Sequence, residues 1–133
     1  MKLDGTQSHA NLKAAFEAES AASVMYRWFA QQADVEGYPE AAKKFEAMAE
    51  AKVGQALGHL EYLSYVGDPT TGGPIGDTAD NLEAAKAAEE MKATDLLPGF
   101  ADTARAEGLD EIAEWIDSQV RADTGHVDKL NAL

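Results

Sequence analysis

NLKAAFEAE at residues 11–19 returns as NLEAAKAAE at residues 81–89, and this repetition decides how the chain folds. These stretches match at an offset of 70 residues, whereas the matches that follow have an offset of 71. One residue has therefore been inserted in the second copy within the range 89–100. We predict that a π-bulge absorbs the insertion. The later matches pair Phe29, Ala30, Ala33, Glu36, Gly37, Glu40, Ala42 and Ala51 with Phe100, Ala101, Ala104, Glu107, Gly108, Glu111, Ala113 and Ala122.

Each copy is predicted to form two helices separated by a glycine. Gly37 and Gly108 stand where the end of a helix favours a residue that can adopt a positive φ, and Pro39 suits the first turn of the helix that follows. Alanine, leucine, glutamate and lysine dominate the sequence, which is typical of an all-α protein. The predicted helices span residues 9–36, 39–66, 79–107 and 110–131.

A segment rich in glycine and proline, residues 67–78, separates the two hairpins, which span residues 9–66 and 79–131. At about 3.3 Å per residue, an extended segment of this length crosses nearly the whole length of a helix bundle. Two helical hairpins joined by a long crossover predict an all-α, ferritin-like four-helix bundle. With 133 residues, the chain is expected to form a single domain, residues 1–133.

Composition excludes several classes of function. The chain has 24 acidic and 11 basic residues, and its formal net charge of -13 argues against nucleic acid and anionic membrane surfaces as partners. It contains no cysteine, so it has no disulfide, no thiolate zinc site and no iron-sulfur site of the Cys-x-x-Cys type. The sequence also lacks an apolar signal core and a membrane-spanning run, so we expect a cytoplasmic protein.

Polar residues interrupt the apolar stripes of the predicted helices near their centres. Measured from Gly37 along the two predicted helices, Glu19 lies roughly 27 Å and Lys52 roughly 22 Å away. Glu89 and Asp123 repeat this spacing in the second copy. We therefore expect these side chains to meet in one layer at the middle of the bundle.

The residues in this layer partly match a di-iron or di-manganese carboxylate site. Such a bundle takes one Glu from each of two helices and a Glu-x-x-His pair from each of the other two, because two hard cations need several anionic oxygens. Glu19 and Glu89 supply the first requirement, and Asp123 with His126 supplies a shortened version of the second. Residues 52–55, with the sequence KVGQ, supply neither ligand on the remaining helix.

With these residues the sequence resembles the short rubrerythrins that consist of the ferritin-like domain alone, and the likeness covers essentially the whole chain. The family's members are non-haem di-iron proteins that reduce hydrogen peroxide, usually with electrons from a rubredoxin-type iron-sulfur site. The resemblance implies a homodimer, whose chains are swapped or unswapped, and an electron donor if the protein is active. It rests on NLKAAF at 11–16, ES at 19–20, EGY at 36–38, GHLEYL at 58–63, GDTA at 76–79 and EG at 107–108.

The resemblance also assigns roles to individual residues. Glu19 and Glu89 match the family's terminal carboxylates, and Asp123 and His126 match its second Glu and His. Tyr26 matches a residue that often lies near the metals, although an ordinary aromatic core residue explains it equally well.

Three departures from the family pattern put the metal centre in doubt. Lys52 stands where a bridging Glu belongs, and Gln55 stands where a His belongs. Lys92 replaces the extra Glu that, in the family, shuttles with the His of the first iron site. The first metal site has therefore lost most of its donors, and a two-iron centre is not expected.

Three hypotheses follow. In the preferred one, salt bridges from Lys52 and Lys92 replace the metals, because three carboxylates and two ammonium groups leave the layer with a charge of only -1. In the second, Glu89, Asp123 and His126 hold one divalent ion of iron, manganese or zinc and support oxidoreductase chemistry. In the third, Lys52 or Lys92 is an amine with a depressed pKa that acts as a nucleophile or joins covalently to a carboxylate.

Overall fold

The structure is a computed structural model that describes residues 1–133, and it confirms the all-α prediction. It divides into two compact units, Met1–Gly73 and Pro74–Leu133, and each contains one of the predicted hairpins. The assembly of the four predicted helices into a single domain stays a prediction. The helices are α1 (Gln7–Val35), α2 (Pro39–Leu63), α3 (Thr78–Met91), a π-helix (Lys92–Leu96), α4 (Leu97–Ala106) and α5 (Asp110–Asn131).

None of these helices combines the length and the apolar character that crossing a bilayer requires.

The turns inside the two hairpins are built in the same way. Gly37 and Gly108 adopt the left-handed conformation, with φ of 84° and 75°. In both copies, the residue after the glycine donates its N–H to the carbonyl five residues earlier, at 2.8 Å. Pro39 then begins α2, where its missing N–H costs nothing. The glycine positions predicted from the repeat are therefore confirmed.

The π-helix lies where the inserted residue was predicted to fall. The N–H of Leu97 donates to the carbonyl of Lys92, five residues earlier, instead of to the carbonyl four residues earlier. The predicted third helix is thus continuous but contains one widened turn between α3 and α4. Pro98 follows in the first turn of α4, where a residue without an N–H donor is tolerated.

Small residues form the contact between the helices of each hairpin. On α2 the buried positions recur every seven residues, so they form one stripe along the helix. Alanine at such positions lets two helices approach closely, and the larger side chains then lie beside the contact. The stripe consists of Ala42, Ala49, Ala56 and Leu63. The buried alanines that the repeat relates are Ala30 and Ala101, Ala33 and Ala104, and Ala42 and Ala113.

The end of α2 differs from the prediction. The helix was predicted to reach residue 66, but it ends at Leu63, so Val66 does not lie on its core-facing stripe. Gly67 has a φ of 146°, and a Cβ added there would lie 2.7 Å from the carbonyl oxygen of Gly72. Asp68 Oδ1 accepts hydrogen bonds from two following backbone N–H groups at 2.7 and 3.3 Å. The first part of the predicted crossover is therefore a compact turn.

Ala49→Leu should lower the free energy of unfolding by about 1 to 3 kcal/mol, because it overpacks the contact between α1 and α2. Urea denaturation followed by circular dichroism measures the change. Ala47→Leu places the same side chain at an exposed position of α2 and should change stability by less than about 0.5 kcal/mol. Equal effects of the two substitutions would contradict a close alanine contact.

Candidate metal centre

The first hairpin brings a carboxylate and an ammonium group together between its two helices. Lys52 Nζ on α2 lies 2.7 Å from Glu19 Oε2 on α1, and both side chains are mostly buried. This contact is short, although its angles depart from those of a good hydrogen bond, and Oε2 is otherwise unpartnered. The pair is therefore chiefly an ion pair that connects α1 to α2.

Gln55 is the second neighbour of the Lys52 ammonium group, besides Glu19. Lys52 Nζ donates a hydrogen bond to Gln55 Oε1 at 3.0 Å, within the same helix. The sequence identified Gln55 only as the replacement of a ligand and missed this role. The spacing of three residues between Lys52 and Gln55 was the available signal, because it places two side chains on one helix face.

The electrostatics of this pair contradict the third hypothesis for Lys52. The short contact with the Glu19 carboxylate raises the pKa of Lys52 above its ordinary value, and the charge of that carboxylate adds to this effect. Desolvation acts in the opposite direction but does not prevail. The prediction of a depressed pKa at Lys52 is therefore wrong, because a facing carboxylate stabilises the charged form of the amine. A protonated amine is a poor nucleophile.

Tyr26 lies in an aromatic cluster of the first hairpin. Its ring centroid is 5.9 Å from that of Phe29 and 6.4 Å from that of Phe45, and the two phenylalanine rings are 5.5 Å apart. Tyr26 is also close enough to Lys52 to influence the ammonium electrostatically. These contacts suit an aromatic core residue, and a role of Tyr26 beside a metal stays a prediction.

The second hairpin brings together three side chains that could hold a metal ion. Glu89 comes from α3, while Asp123 and His126 lie one turn apart on α5. One ligand atom from each residue lies within 4.8 Å of the other two. His126 Nδ1 is 3.6 Å from both Glu89 Oε2 and Asp123 Oδ1. The prediction that these three residues lie together is confirmed.

The donors in the second hairpin fit a single divalent ion. Two ligands of a tetrahedral ion with bond lengths of about 2.0 to 2.1 Å lie roughly 3.3 Å apart, which is close to the 3.6 Å separations found here. Glu89 Oε2 is buried and accepts no hydrogen bond. A buried carboxylate oxygen without a partner is costly, and a cation would satisfy it.

Lys92 stands at the edge of this cluster. Its Nζ lies 3.9 Å from Glu89 Oε1, the other oxygen of the same carboxylate. The salt bridge predicted for Lys92 is therefore present, but it is longer than the one between Lys52 and Glu19.

The two hairpins thus differ in their fitness for a metal. In the first, Glu19 faces an ammonium group and an amide instead of further anionic donors, so its residues do not fit a metal ion. In the second, two carboxylates and an imidazole fit one ion. The meeting of both sets in a common layer stays a prediction.

Comparison with known proteins extends over both hairpins. The family model named Rubrerythrin matches residues 10–133. A rubrerythrin from Porphyromonas gingivalis is 35% identical over 98% of this chain and 68% of its own length. Rubrerythrin-1 from Clostridium acetobutylicum is 34% identical over 98% of this chain and 71% of its own length. A rubrerythrin from Nitratidesulfovibrio vulgaris is 33% identical over 93% of this chain and 67% of its own length.

Lys52→Met should destabilise the protein near neutral pH, because it leaves the carboxylate of Glu19 without its counter-ion. The raised pKa of Lys52 means that the ion pair stabilises the fold fully below the ordinary pKa of lysine, about 10.4, and is lost as the pH rises through the higher folded-state value. The stability difference between wild type and variant should therefore shrink at alkaline pH, above the ordinary pKa of lysine.

Urea denaturation at neutral pH and at an alkaline pH above the ordinary pKa of lysine measures this difference in the free energy of unfolding. Lys43→Met is the matched control on α2, because Lys43 is exposed and its ion pair with Glu40 is 3.6 Å long. It should change stability little at either pH. A Lys52→Met penalty that stays constant from neutral to alkaline pH would indicate lost packing instead of a lost charge.

Proposed function

Because this chain belongs to the rubrerythrin family, we propose that it is a member whose di-metal centre is degenerate and which is impaired or inactive as a peroxidase. One observation carries this proposal: Lys52 Nζ lies 2.7 Å from Glu19 Oε2, where the family pattern calls for a bridging Glu and a metal. The ammonium group neutralises the carboxylate that a cation would otherwise neutralise.

Charge explains why this substitution disfavours a metal in the first hairpin. A divalent ion bound at Glu19 would lie beside a protonated amine, and like charges at close range repel each other. The raised pKa of Lys52 keeps that amine charged. Gln55 offers a neutral amide in place of the imidazole that iron or manganese would take.

Loss of one site is expected to affect the reaction as well as the metal content. Rubrerythrins reduce peroxide by two electrons with two irons, so a chain with at most one metal offers half of that centre. These 133 residues contain no cysteine, so they supply no iron-sulfur site of their own to deliver electrons. Both points support a protein with weak peroxidase activity or none.

A second candidate function is supported by the three donors of the second hairpin. Glu89, Asp123 and His126 would hold a single iron, manganese or zinc ion, and Glu89 Oε2 is a buried acceptor without a hydrogen bond. A bound iron or manganese ion would supply redox chemistry to a metal-dependent oxidoreductase. The protein residues would fix the ion between α3 and α5.

We also propose that the protein is a homodimer. Trp28 and Trp115 are 57% and 65% exposed. Large apolar side chains left exposed on a helix favour association with another protein surface. Packing of apolar helix faces supplies most of the stability of helices in proteins, so covering these side chains would stabilise the fold.

Lys52→Glu combined with Gln55→His should increase the metal content of the protein by at least one ion per chain. The double variant restores both donors that the first hairpin lacks and removes the competing ammonium. Elemental analysis after loading with Fe²⁺ or Mn²⁺ and desalting measures the content. Lys43→Glu, an equal change of charge at an exposed site on α2, should bind no more metal than wild type. Two tightly bound ions in the wild type would contradict a degenerate centre.

Sedimentation equilibrium should give a mass of about 28 kDa, twice the 14.2 kDa of one chain. Dimerisation is expected because it buries apolar side chains such as Trp28 and Trp115. A mass of one chain at all concentrations would contradict the homodimer.

A further inference from the structure

The two lysines that face the carboxylates are held in different ways. Lys52 contacts Glu19 at 2.7 Å and donates to Gln55 at 3.0 Å, so its ammonium group is fixed on two sides. Lys92 Nζ is 3.9 Å from Glu89 Oε1, which is an ion-pair distance beyond the range of a hydrogen bond. Lys52 is thus an integral part of its hairpin, whereas Lys92 is loosely attached to its partner.

Exposure reinforces this difference. The side chain of Lys92 is 42% exposed, compared with 22% for Glu89 and 15% for Asp123. Its backbone is fixed, because Lys92 is the first residue of the π-helix and its carbonyl accepts a hydrogen bond from Leu97. Rotation of the four-carbon side chain can therefore move the ammonium group from the carboxylate into solvent while the backbone of Lys92 stays in place.

Lys92 occupies only one of the two oxygens of Glu89. It contacts Oε1, while Oε2 faces His126 and accepts no hydrogen bond. A cation bound to Oε2, Asp123 and His126 would not have to take the place of the ammonium group itself. The bound cation would still be repelled by the ammonium group of Lys92, which lies beside the other oxygen of the Glu89 carboxylate.

We propose that Lys92 is a displaceable counter-ion of Glu89 that lowers the affinity of the second hairpin for divalent cations without blocking the site. This inference rests on the second candidate function, in which Glu89, Asp123 and His126 bind one ion. With Lys92 in place the two carboxylates carry a local net charge of -1 when His126 is neutral, and without it they carry -2. Lys92 thereby determines the metal concentration at which the site fills.

Isothermal titration of the full-length protein with Mn²⁺ and with Zn²⁺ tests this role. Lys92→Gln should bind either ion roughly tenfold more tightly than wild type, because it removes one positive charge beside the carboxylate. Lys92→Arg keeps the charge and should bind like wild type. The gain in Lys92→Gln should shrink at high ionic strength, since salt screens a partly exposed charge.

Two further variants identify the site that is titrated. Lys86→Gln removes a lysine from α3, which continues into the π-helix; Lys86 pairs with Glu83 at 3.4 Å, and its removal should leave the affinity unchanged. Glu89→Gln should abolish binding in the wild-type background and in Lys92→Gln. Circular dichroism of each variant confirms that the fold is retained.

The outcomes separate the role of Lys92 from the metal site itself. If wild type binds one ion in a Glu89-dependent manner, and Lys92→Gln has the same affinity, the counter-ion role of Lys92 is wrong and the metal site stands. An equal gain in Lys92→Gln and Lys86→Gln would also overturn it, since the effect would then reflect overall charge. If no variant, including Lys92→Gln, binds more than Glu89→Gln does, the metal site and the role of Lys92 both fail.

Discussion

The ion pair between Glu19 and Lys52 is the interaction on which the polar centre of the first hairpin depends. A carboxylate placed between two helices must be neutralised by a proton, a metal ion or a basic side chain, because an uncompensated buried charge is costly. Here an ammonium group provides the neutralisation at 2.7 Å, and Gln55 fixes it at 3.0 Å. Unlike a metal, this cation is covalently attached to the chain, so the first hairpin keeps its counter-ion whatever metal the surroundings supply.

In the internal repeat, similar helical segments carry different chemistry in the two copies. At the offset of 71 that relates the buried alanines, residues 52–55 (KVGQ) correspond to residues 123–126 (DTGH). Both tetrapeptides place their first and last side chains on one helix face, three residues apart. In one copy these side chains are a cation and its hydrogen-bond acceptor, and in the other they are an anion and an imidazole. The geometry of the pair is retained while its charge is reversed.

The sequence was sufficient for features that depend on spacing and insufficient for those that depend on side-chain conformation. The repeat located Gly37 and Gly108, and the offset located the π-helix, because each has a signature along the chain. The end of α2 was missed, since Gly67 marks it through a close contact with Gly72 that composition does not reveal. The raised pKa of Lys52 was missed in the third hypothesis, because burial and a facing carboxylate act in opposite directions and only their geometry decides which prevails.

The alanine contacts of the hairpins and the polar residues of their centres occupy different positions on the same helices. The alanines that bring the helices together, such as Ala49 and Ala101, are buried and apolar, and none of them is itself a polar residue of the two centres. Substitutions at the four polar positions of the two tetrapeptides change the chemistry of the centre and leave the alanine contacts in place, but at Lys52 they also remove the ion pair that connects α1 to α2. For this reason membership of the family fixes the scaffold but not the metal content. The four positions, together with Glu19, Glu89 and Lys92, decide whether a hairpin presents a cation, an anion or an imidazole to an incoming metal ion.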